Sequence, residues 1–280
     1  MVIAADVSNR SLADLYSLAG RVAVVTGGGR GIGVAIASRL AEAGAAVAVA
    51  DIDESTAEHT TAKLTAGGAT AMPVTMDVTS PRSTRAAVEA IRAELGEIDI
   101  LVNNAGLLAV PAPYDEILDE DFDRTMAVNV RGALNVSRVV APLMVAAERR
   151  GVIINMASTA TYRYPNPGTL VYTTSKQAVN AITKGLAVEL GPAGIRVLDI
   201  APTVVETPGL ADLRERSRAK AAEAGRTVEL GNPDAFRHLP LGRIAVPDDI
   251  ARVVAFAASD AAILMTGSTL AVDAGSMVVR

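Results

Sequence analysis

The 280-residue sequence predicts a doubly wound α/β fold, in which one parallel sheet of about seven strands carries helices on both faces. Three observations predict it. Short apolar runs recur at roughly regular intervals, and stretches with helical periodicity lie between most of them. Half of the residues are hydrophobic although only 3% are aromatic. A core of Ala, Val, Ile and Leu is typical of strands that are covered on both faces.

The predicted elements alternate along the chain. Seven runs have the length and composition of strands: Val22–Val25, Val47–Ala50, Met72–Met76, Ile98–Val102, Val152–Met156, Val197–Ile200 and Leu270–Val272. Helical periodicity is clearest in four stretches: Val34–Ala43, Ser83–Leu95, Phe122–Ala147 and Lys176–Leu190. Right-handed crossovers between successive parallel strands then place helices on both faces of the sheet.

The length of the chain favours a single domain. We expect residues 1–18 to form a loosely held N-terminal extension and residues 19–280 to form the domain. The segment at about residues 203–240 interrupts the alternation, because it is long, charged and punctuated by Gly and Pro. A connection of that length usually covers a binding site, so we expect it to act as a substrate lid.

Composition excludes several classes of function. A net charge of −5 disfavours binding to nucleic acid. Apolar runs such as Ala43–Ala50 are too short to cross a membrane, and the first ten residues do not resemble a leader, so we expect a cytoplasmic protein. The chain has no cysteine, and His59 and His238 lie far apart, which argues against a metal site or a histidine-based triad.

Ligands of open parallel sheets bind beyond the carboxyl ends of the strands. The residues that follow the predicted strands there are Gly27, Asp51, Asp77, Asn103, Ser158 and Pro202. The loops that carry them are therefore expected to meet along one edge of the sheet.

A glycine-rich turn follows the first strand and opens the first long helix. Its glycines Gly27, Gly31 and Gly33 have the spacing G-x-x-x-G-x-G, and such a turn lets the backbone approach a pyrophosphate at a helix N terminus. Alone, the segment could be a plain tight turn. Asp51, about 20 residues further on, could accept hydrogen bonds from an adenosine ribose, as in a Rossmann-type fold.

The same carboxylate makes NAD the preferred cofactor. Two unit charges 4 Å apart repel by about 4 kcal/mol at an effective dielectric of 20, so Asp51 would oppose the 2′-phosphate of NADP. Arg30, within the glycine turn, could instead meet that phosphate. We favour the alternative that Arg30 is a solvated loop cation.

Tyr172 and Lys176 are four residues apart in a helical stretch, so they share one face. A phenol, with a reference pKa of about 10, is a poor base at neutral pH, but a nearby ammonium stabilises its phenolate and lowers the pKa. The pair therefore suggests a tyrosine that acts as a general acid/base. Taken alone, it could also be a surface tyrosine beside a solvated lysine.

Several motifs occur together in a recognisable order. They are the glycine turn, Asn103-Asn104-Ala105-Gly106 after the fourth strand, Ser158 after the fifth and Tyr172-Thr173-Thr174-Ser175-Lys176. With them the sequence resembles the short-chain dehydrogenase/reductase family from about Leu18 to Val279. One departure is Thr203, which stands where the family commonly has glycine, and its branched side chain would crowd the nicotinamide or the substrate.

The resemblance implies roles for individual residues. Tyr172 would exchange the alcohol proton, Lys176 would lower its pKa and bind the nicotinamide ribose, and Ser158 would bind the substrate oxygen. Asn129 would hold a water that joins Lys176 to solvent, or would be a helix-bending residue satisfied locally. Cofactor-binding residues would be Gly27, Arg30, Gly31, Ile32, Gly33, Asp51, Ile52, Asp77, Val78, Asn104, Ala105, Gly106, Tyr172, Lys176, Pro202, Val205 and Thr207. Thr207 could instead simply cap a helix.

The reaction expected is a hydride transfer between NAD and a secondary alcohol or ketone, with a polyol, a cyclic alcohol or a keto compound as substrate. Pocket walls would come from Leu107, Leu108, Tyr162 and Tyr164. Alternatives are an NADP-dependent 3-oxoacyl-type ketoreductase and a catalytically silent NAD-binding scaffold; an epimerase or dehydratase usually needs a larger substrate domain. Apolar residues on more than one face of the longest helices predict a symmetric homo-oligomer, and the resemblance suggests a homotetramer.

Overall fold

The computed structural model describes residues 4–162, 167–223 and 239–279. Its seven strands form one parallel sheet in the order β3-β2-β1-β4-β5-β6-β7. The strands are β1 (Val22–Thr26), β2 (Ala46–Asp51), β3 (Ala71–Thr75), β4 (Ile100–Asn103), β5 (Val152–Met156), β6 (Arg196–Pro202) and β7 (Thr269–Val272). The predicted fold class is confirmed. The strand order reverses between β1 and β4, and the carboxyl ends there flank the crevice in which such sheets bind ligands.

Nine helices are described within those ranges, namely α1 (Leu12–Tyr16), α2 (Gly31–Glu42), α3 (Glu54–Ala66), α4 (Pro81–Leu95), α5 (Asp119–Met126), α6 (Ala133–Ala146), α7 (Leu170–Leu190), α8 (Pro208–Glu223) and α9 (Pro247–Ala258). Phe122–Ala147 was predicted as one helix and is divided. A π-helical turn, Ala127–Gly132, separates α5 from α6. Apolar periodicity does not reveal such a turn, because it changes the backbone hydrogen bonding and not the apolar character of the sequence.

Two hydrophobic clusters sandwich the sheet. On one face, α2 and α9 pack against each other and bury residues such as Ile36 and Val254 with Val25 of β1. On the other face, α4 and α6 supply residues such as Ile91 and Val140. Strands buried on both faces explain why their sequences are nearly continuous apolar runs.

One row of polar side chains crosses the centre of the sheet. Its members are register neighbours on four adjacent strands and so share one face of the sheet; they are Asn103, Asn155, Asp199 and Thr269. We call them the polar row. Asn155 and Asp199 are completely buried. Buried polar groups must find partners within the protein, so the row fixes how neighbouring elements fit together.

Asn155 is the best satisfied member of the polar row. Its Oδ1 accepts a hydrogen bond from Asn103 Nδ2 at 2.8 Å, and its Nδ2 donates to Thr183 Oγ1 of α7 at 2.9 Å. Asn103 Nδ2 also donates to Ser137 Oγ of α6 at 3.0 Å. The row therefore ties α6 and α7 to the centre of the sheet.

The described part of the N-terminal segment contacts the domain at two points. Leu18 is completely buried in the core and Arg10 forms an ion pair with Asp260. The loosely held extension over residues 1–18 stays a prediction. A capping box formed by Ser11 and Asp14 begins α1. No helix in the described part of the chain is long and apolar enough to cross a membrane.

Asn155→Ala should destabilise the protein by about 1–3 kcal/mol, because in the core one N–H of Asn103 Nδ2 loses its acceptor and Thr183 Oγ1 loses its donor. Urea unfolding measures the loss. The matched control is Ser38→Ala, which removes an exposed hydroxyl that donates to Val34 O, and it should change stability by less than about 0.5 kcal/mol. Equal unfolding midpoints for the two variants would contradict the importance of the polar row.

Candidate active site

In the glycine turn between β1 and α2, the backbone packs closely against itself and against the backbone of Ala105. A Cβ atom on Gly33 would overlap the carbonyl oxygen of Gly27, and one on Gly27 would lie 2.9 Å from the Cα of Ala105. Gly27 also has a φ of 61°, which L side chains rarely adopt. The sequence has glycine at these positions because the turn leaves no room for a side chain.

The N terminus of α2 faces this turn and has no side-chain cap. Arg30 stands at the cap position with an extended backbone, and its side chain makes no capping hydrogen bond. A Cβ on Gly31 would lie 3.5 Å from the side chain of Thr207, so the loop after β6 approaches the turn. An uncapped helix N terminus beside a glycine cradle fits a pyrophosphate.

Asn104 and Thr26 fasten the glycine turn to the loop after β4. Asn104 Nδ2 donates to the carbonyl oxygens of Thr26 and Gly27 at 2.9 and 3.0 Å. Thr26 Oγ1 accepts hydrogen bonds from the backbone N–H groups of Asn104 and Ala105 at 3.0 and 3.1 Å. The two loops thus form one rigid floor, which Gly106 continues towards Lys176.

Asp51 ends β2 beside the glycine turn. Its Oδ2 accepts from the backbone N–H of Gly29 at 2.9 Å and its Oδ1 from that of Asp53 at 3.1 Å. Each carboxylate oxygen can accept a second hydrogen bond, so a ribose diol remains a suitable ligand. Ile52, the next residue, is 68% exposed and presents an apolar surface there.

Arg30 is held by a different carboxylate. Its Nη2 lies 2.9 Å from Oδ2 of Asp53, which also caps α3 through the N–H of Thr56. The hydrogen bonds from Ser55, Arg30 and Thr56 hold the pKa of Asp53 below its ordinary value. Arg30 is therefore paired with a carboxylate at the surface, and its interpretation as a solvated loop cation stays a prediction. Such an exposed ion pair contributes little to stability.

Asp77 and Val78 follow β3 at the same edge. Asp77 Oδ1 accepts from both the N–H and the hydroxyl of Thr79, at 2.9 and 2.7 Å, so its carboxylate shapes its own loop. Val78 is buried, and its Cγ2 lies only 2.7 Å from where a Cβ on Gly132 would be. This contact joins the adenine side of the predicted cofactor site to the π-helical turn.

Ser158, Tyr172 and Lys176 come together just beyond β5. Ser158 caps a 3-10 turn, Thr159–Thr161, and its Oγ accepts from the N–H of Ala160 at 3.2 Å. Lys176 Nζ donates to the carbonyl oxygen of Met156 at 2.6 Å and lies 5.8 Å from the centre of the Tyr172 ring. The hydroxyl, the phenol and the ammonium therefore share the edge of the sheet that carries the glycine turn.

Burial dominates the protonation of this group. It raises the pKa of Tyr172 above its ordinary value, and the hydrogen bond with Ser158 opposes this only in part. Burial also lowers the pKa of Lys176 to about 8, although the charge of Asp199 acts in the opposite direction. In the protein alone, burial thus favours the neutral form of both groups, and the expectation that Lys176 lowers the pKa of Tyr172 stays a prediction.

Asn129 lies in the π-helical turn, and its side chain is occupied by protein groups. Its Oδ1 accepts from the N–H of Leu107 at 2.7 Å, and its Nδ2 donates to Leu107 O at 3.0 Å and to Ser175 Oγ at 2.9 Å. These bonds position the loop after β4 against α7. They correspond to the alternative in which Asn129 is satisfied locally, and they leave its side chain little capacity to hold a water.

Sequence reasoning missed Ser175 as a supporting residue. It is completely buried, accepts from Asn129 and donates its hydroxyl proton to the carbonyl oxygen of Tyr172 at 2.7 Å. It thus connects the π-helical turn to the helical turn that carries the phenol. The only signal in the sequence was a small polar residue next to Lys176, which is common on helices.

The loop after β6 closes one side of the site. Pro202 ends β6, and Val205 is buried and forms an isolated bridge with Ala245. Thr207 Oγ1 accepts a hydrogen bond from the N–H of Leu210 at 3.2 Å. Thr207 therefore caps the N terminus of α8, as the alternative interpretation of this residue proposed. Thr203 donates its N–H to Val272 O and is partly exposed.

The predicted pocket walls are only partly described. Leu107 and Leu108 are partly exposed next to the site, and Tyr162 is 54% exposed. Tyr164 lies outside the described residues. The predicted lid at 203–240 contains α8 and is described up to residue 223 and from residue 239.

Together, the switch-point crevice, the glycine cradle and the Ser158, Tyr172 and Lys176 group define a dinucleotide-linked oxidoreductase. The chain belongs to the short chain dehydrogenase family, whose sequence profile matches residues 21–218. It is therefore an oxidoreductase of alcohols and ketones that binds a nicotinamide cofactor.

Individual relatives cover nearly the whole chain. The 4-formylbenzenesulfonate dehydrogenase of Comamonas testosteroni is 39% identical over 256 residues, which are 91% of this chain and 97% of that protein. The D-threitol dehydrogenase of Mycolicibacterium smegmatis is 39% identical over 262 residues, 93% of this chain and 94% of that one. A solved 3-ketoacyl-(acyl-carrier-protein) reductase from Brucella melitensis, complexed with NADH, superposes with a TM-score of 0.80 at 36% identity, covering 94% of this chain and 100% of that one.

Gly33→Ala should weaken dinucleotide binding by about tenfold or more, because its Cβ forces the glycine turn away from the backbone of Gly27. Titration with NADH, followed by its fluorescence, measures the dissociation constant. The matched control is Gly185→Ala in α7, where a Cβ meets nothing within 4 Å; this variant should bind normally and be more stable by up to about 1 kcal/mol. Normal binding by Gly33→Ala would show that the turn is not the cofactor cradle.

Proposed function

We propose that this protein is an NAD-dependent dehydrogenase that oxidises a secondary alcohol to a ketone, or catalyses the reverse reaction, with Tyr172 as the general acid/base. The observation that carries the proposal is the convergence of Tyr172, Ser158 and Lys176 at the edge of the sheet that holds the glycine turn. A proton must leave the alcohol oxygen as the hydride leaves carbon, and a phenol held in place can accept it.

Each member of the group has a distinct task. Ser158 donates its hydroxyl proton to the substrate oxygen and holds that oxygen next to the phenol of Tyr172. The ammonium of Lys176, 5.8 Å from the phenol ring, stabilises the phenolate as the proton is transferred. The nicotinamide ring, when bound, accepts or supplies the hydride. Because the site is largely buried, these charges act in a low dielectric, where electrostatic stabilisation is stronger than in water.

The preference for NAD rests on Asp51. Its carboxylate lies at the glycine turn with free acceptor capacity for a ribose diol, and it would repel a 2′-phosphate. The one cation in the turn, Arg30, is paired with Asp53 and so is partly neutralised. In the cofactor site we also place the uncapped N terminus of α2 (Gly31, Ile32 and Gly33), the floor from Asn104 to Gly106, and the flanking residues Ile52, Asp77, Val78, Pro202, Val205 and Thr207.

The substrate is proposed to be a modest polyol, cyclic alcohol or keto compound. By its name, the D-threitol dehydrogenase that this chain resembles acts on a small polyol. A second candidate is a 3-oxoacyl-type reductase, favoured by the similarity to the Brucella reductase. Both reactions use the same proton transfer in opposite directions, so the catalytic group alone does not distinguish them. A panel of polyols, cyclic alcohols and 3-oxoacyl thioesters assayed with NAD(H) and NADP(H) does.

We further propose a homotetramer. Apolar side chains remain exposed on the helices that flank the site, with Phe122 of α5 at 41%, Val145 of α6 at 44% and Val188 of α7 at 78% exposure. A helix that packs only on its own sheet would have a polar outer face. Sedimentation analysis that finds only monomers would exclude this assembly.

Tyr172→Phe should reduce kcat by about 10²–10⁴-fold, since it removes the proton acceptor and leaves the ring in place. NADH binding should be retained. The matched control is Tyr162→Phe, because Tyr162 also follows β5 but is 54% exposed and has no lysine four residues on. Steady-state assays on the best substrate of the panel compare Tyr172→Phe with Tyr162→Phe. Equal activity in both variants would contradict the proposed mechanism.

Asp51→Asn should raise the ratio of kcat/KM for NADP to that for NAD by about tenfold or more, because the repulsion of the 2′-phosphate disappears. Glu54→Gln is the control: it removes an exposed carboxylate at the start of α3, three residues along the chain, and should leave the ratio nearly unchanged. If Asp51→Asn leaves the ratio unchanged as well, Asp51 does not determine the cofactor.

A further inference from the structure

Lys176 poses a physical problem that the proposed mechanism leaves open. It is only 7% exposed, and among the described residues its hydrogen-bond partner is a neutral carbonyl, that of Met156. An ammonium in such surroundings is costly, and a lysine that loses its proton cannot stabilise a phenolate. The site needs a negative charge that keeps Lys176 protonated without competing for Tyr172.

We propose that Asp199 of the polar row is the buried counter-ion of Lys176, and so a positioning residue that keeps the ammonium charged for proton transfer. This inference rests on the proposed function. Asp199 touches neither the expected substrate nor the cofactor, and it acts through the lysine.

The placement of Asp199 supports this role. It lies on β6, directly beside Asn155 of β5 in the sheet register, and β6 is the strand against which α7 packs most extensively. Its Oδ2 accepts from Asn180 Nδ2 at 2.8 Å. Asn180 is four residues after Lys176, so both side chains lie on the same face of α7.

The carboxylate is only partly satisfied by hydrogen bonds. Asp199 is completely buried, and its Oδ1 has no hydrogen-bond partner among the residues that the structure describes. Asn180 also donates to Thr269 Oγ1 at 2.9 Å, so its amide is shared between two acceptors. A buried carboxylate oxygen without a donor is costly unless a positive charge lies nearby, and α7 carries two candidate charges, Lys176 and Lys184.

The surrounding charges are consistent with this pair. The charges of α7 that interact with Asp199 are Lys176 and Lys184, and the other groups around it are uncharged, namely Asn180 and Thr183 of α7 with Asn155 and Thr269 of the neighbouring strands. Burial raises the pKa of Asp199, and the nearby polar groups and Lys184 oppose this shift. Asp199 in turn is the one charge that raises the pKa of Lys176, and it exerts no resolved effect on Tyr172.

The test is the pH dependence of kcat/KM for alcohol oxidation in Asp199→Asn, a substitution that removes the charge but keeps the shape. Without the carboxylate, Lys176 loses its proton at lower pH, so the phenolate of Tyr172 forms only at higher pH. The alkaline rise in kcat/KM should move upward by about one pH unit or more, with roughly a tenfold loss of activity near neutral pH.

Asn155→Ala is the matched control from the same polar row. It should lower stability as described above and leave the pH profile in place, because it removes hydrogen bonds but no charge. Asp199→Ser is a second variant without the charge, and it decides the question in the same way if Asp199→Asn does not fold.

Three outcomes would overturn the inference: an Asp199→Asn profile that coincides with the wild type, one that moves to lower pH, or an equal shift in Asn155→Ala. Failure of the proposed function looks different. In that case Tyr172→Phe remains as active as the wild type, whatever Asp199→Asn does.

Discussion

The central constraint on the candidate active site is that the ammonium of Lys176 is buried next to the phenol of Tyr172. Lys176 is buried at the end of β5, where it donates to the Met156 carbonyl and lies 5.8 Å from the Tyr172 ring. In that setting burial pushes both groups towards their neutral forms. The proposed catalysis by this pair would therefore require other groups to supply charge, and the proposal assigns this role to Asp199 of the polar row and to a bound dinucleotide.

The fold serves this requirement through rigidity. The π-helical turn directs Asn129 onto Leu107 and Ser175, Ser175 holds the carbonyl of Tyr172, and Asn104 fastens the glycine turn. These bonds connect the helix that carries the phenol to the loop that would hold the pyrophosphate. The two halves of the site are therefore joined by a continuous set of hydrogen bonds.

Much of this architecture could be predicted from the sequence. All seven strands were found within a few residues, because strands covered on both faces leave continuous apolar runs. The convergence of Gly27, Asp51 and Ser158 followed from the rule that parallel strands carry ligands at their carboxyl ends, whereas Tyr172 was placed with them by the family resemblance. The π-helical turn could not be predicted, because its signal lies in backbone hydrogen bonds.

The electrostatics were the least accessible part. Spacing places Lys176 beside Tyr172, but it does not show how deeply either group is buried, and burial raises the pKa of the phenol in the protein alone. Asp199 gave no signal either. Asp199 lies within the apolar run of β6. Its role can be inferred only from its register neighbours and from Asn180 of α7, which the three-dimensional structure brings together.

The most direct test is an ultraviolet difference titration of the tyrosines with and without NAD, which the absence of tryptophan and the presence of only five tyrosines make feasible. Comparison with Tyr172→Phe isolates the phenol of interest. Without NAD, Tyr172 should ionise above the ordinary tyrosine pKa; with NAD, the positive charge of the oxidised ring should bring its ionisation below that of the other tyrosines. A Tyr172 titration that NAD does not change would contradict the claim that this phenol is the proton acceptor.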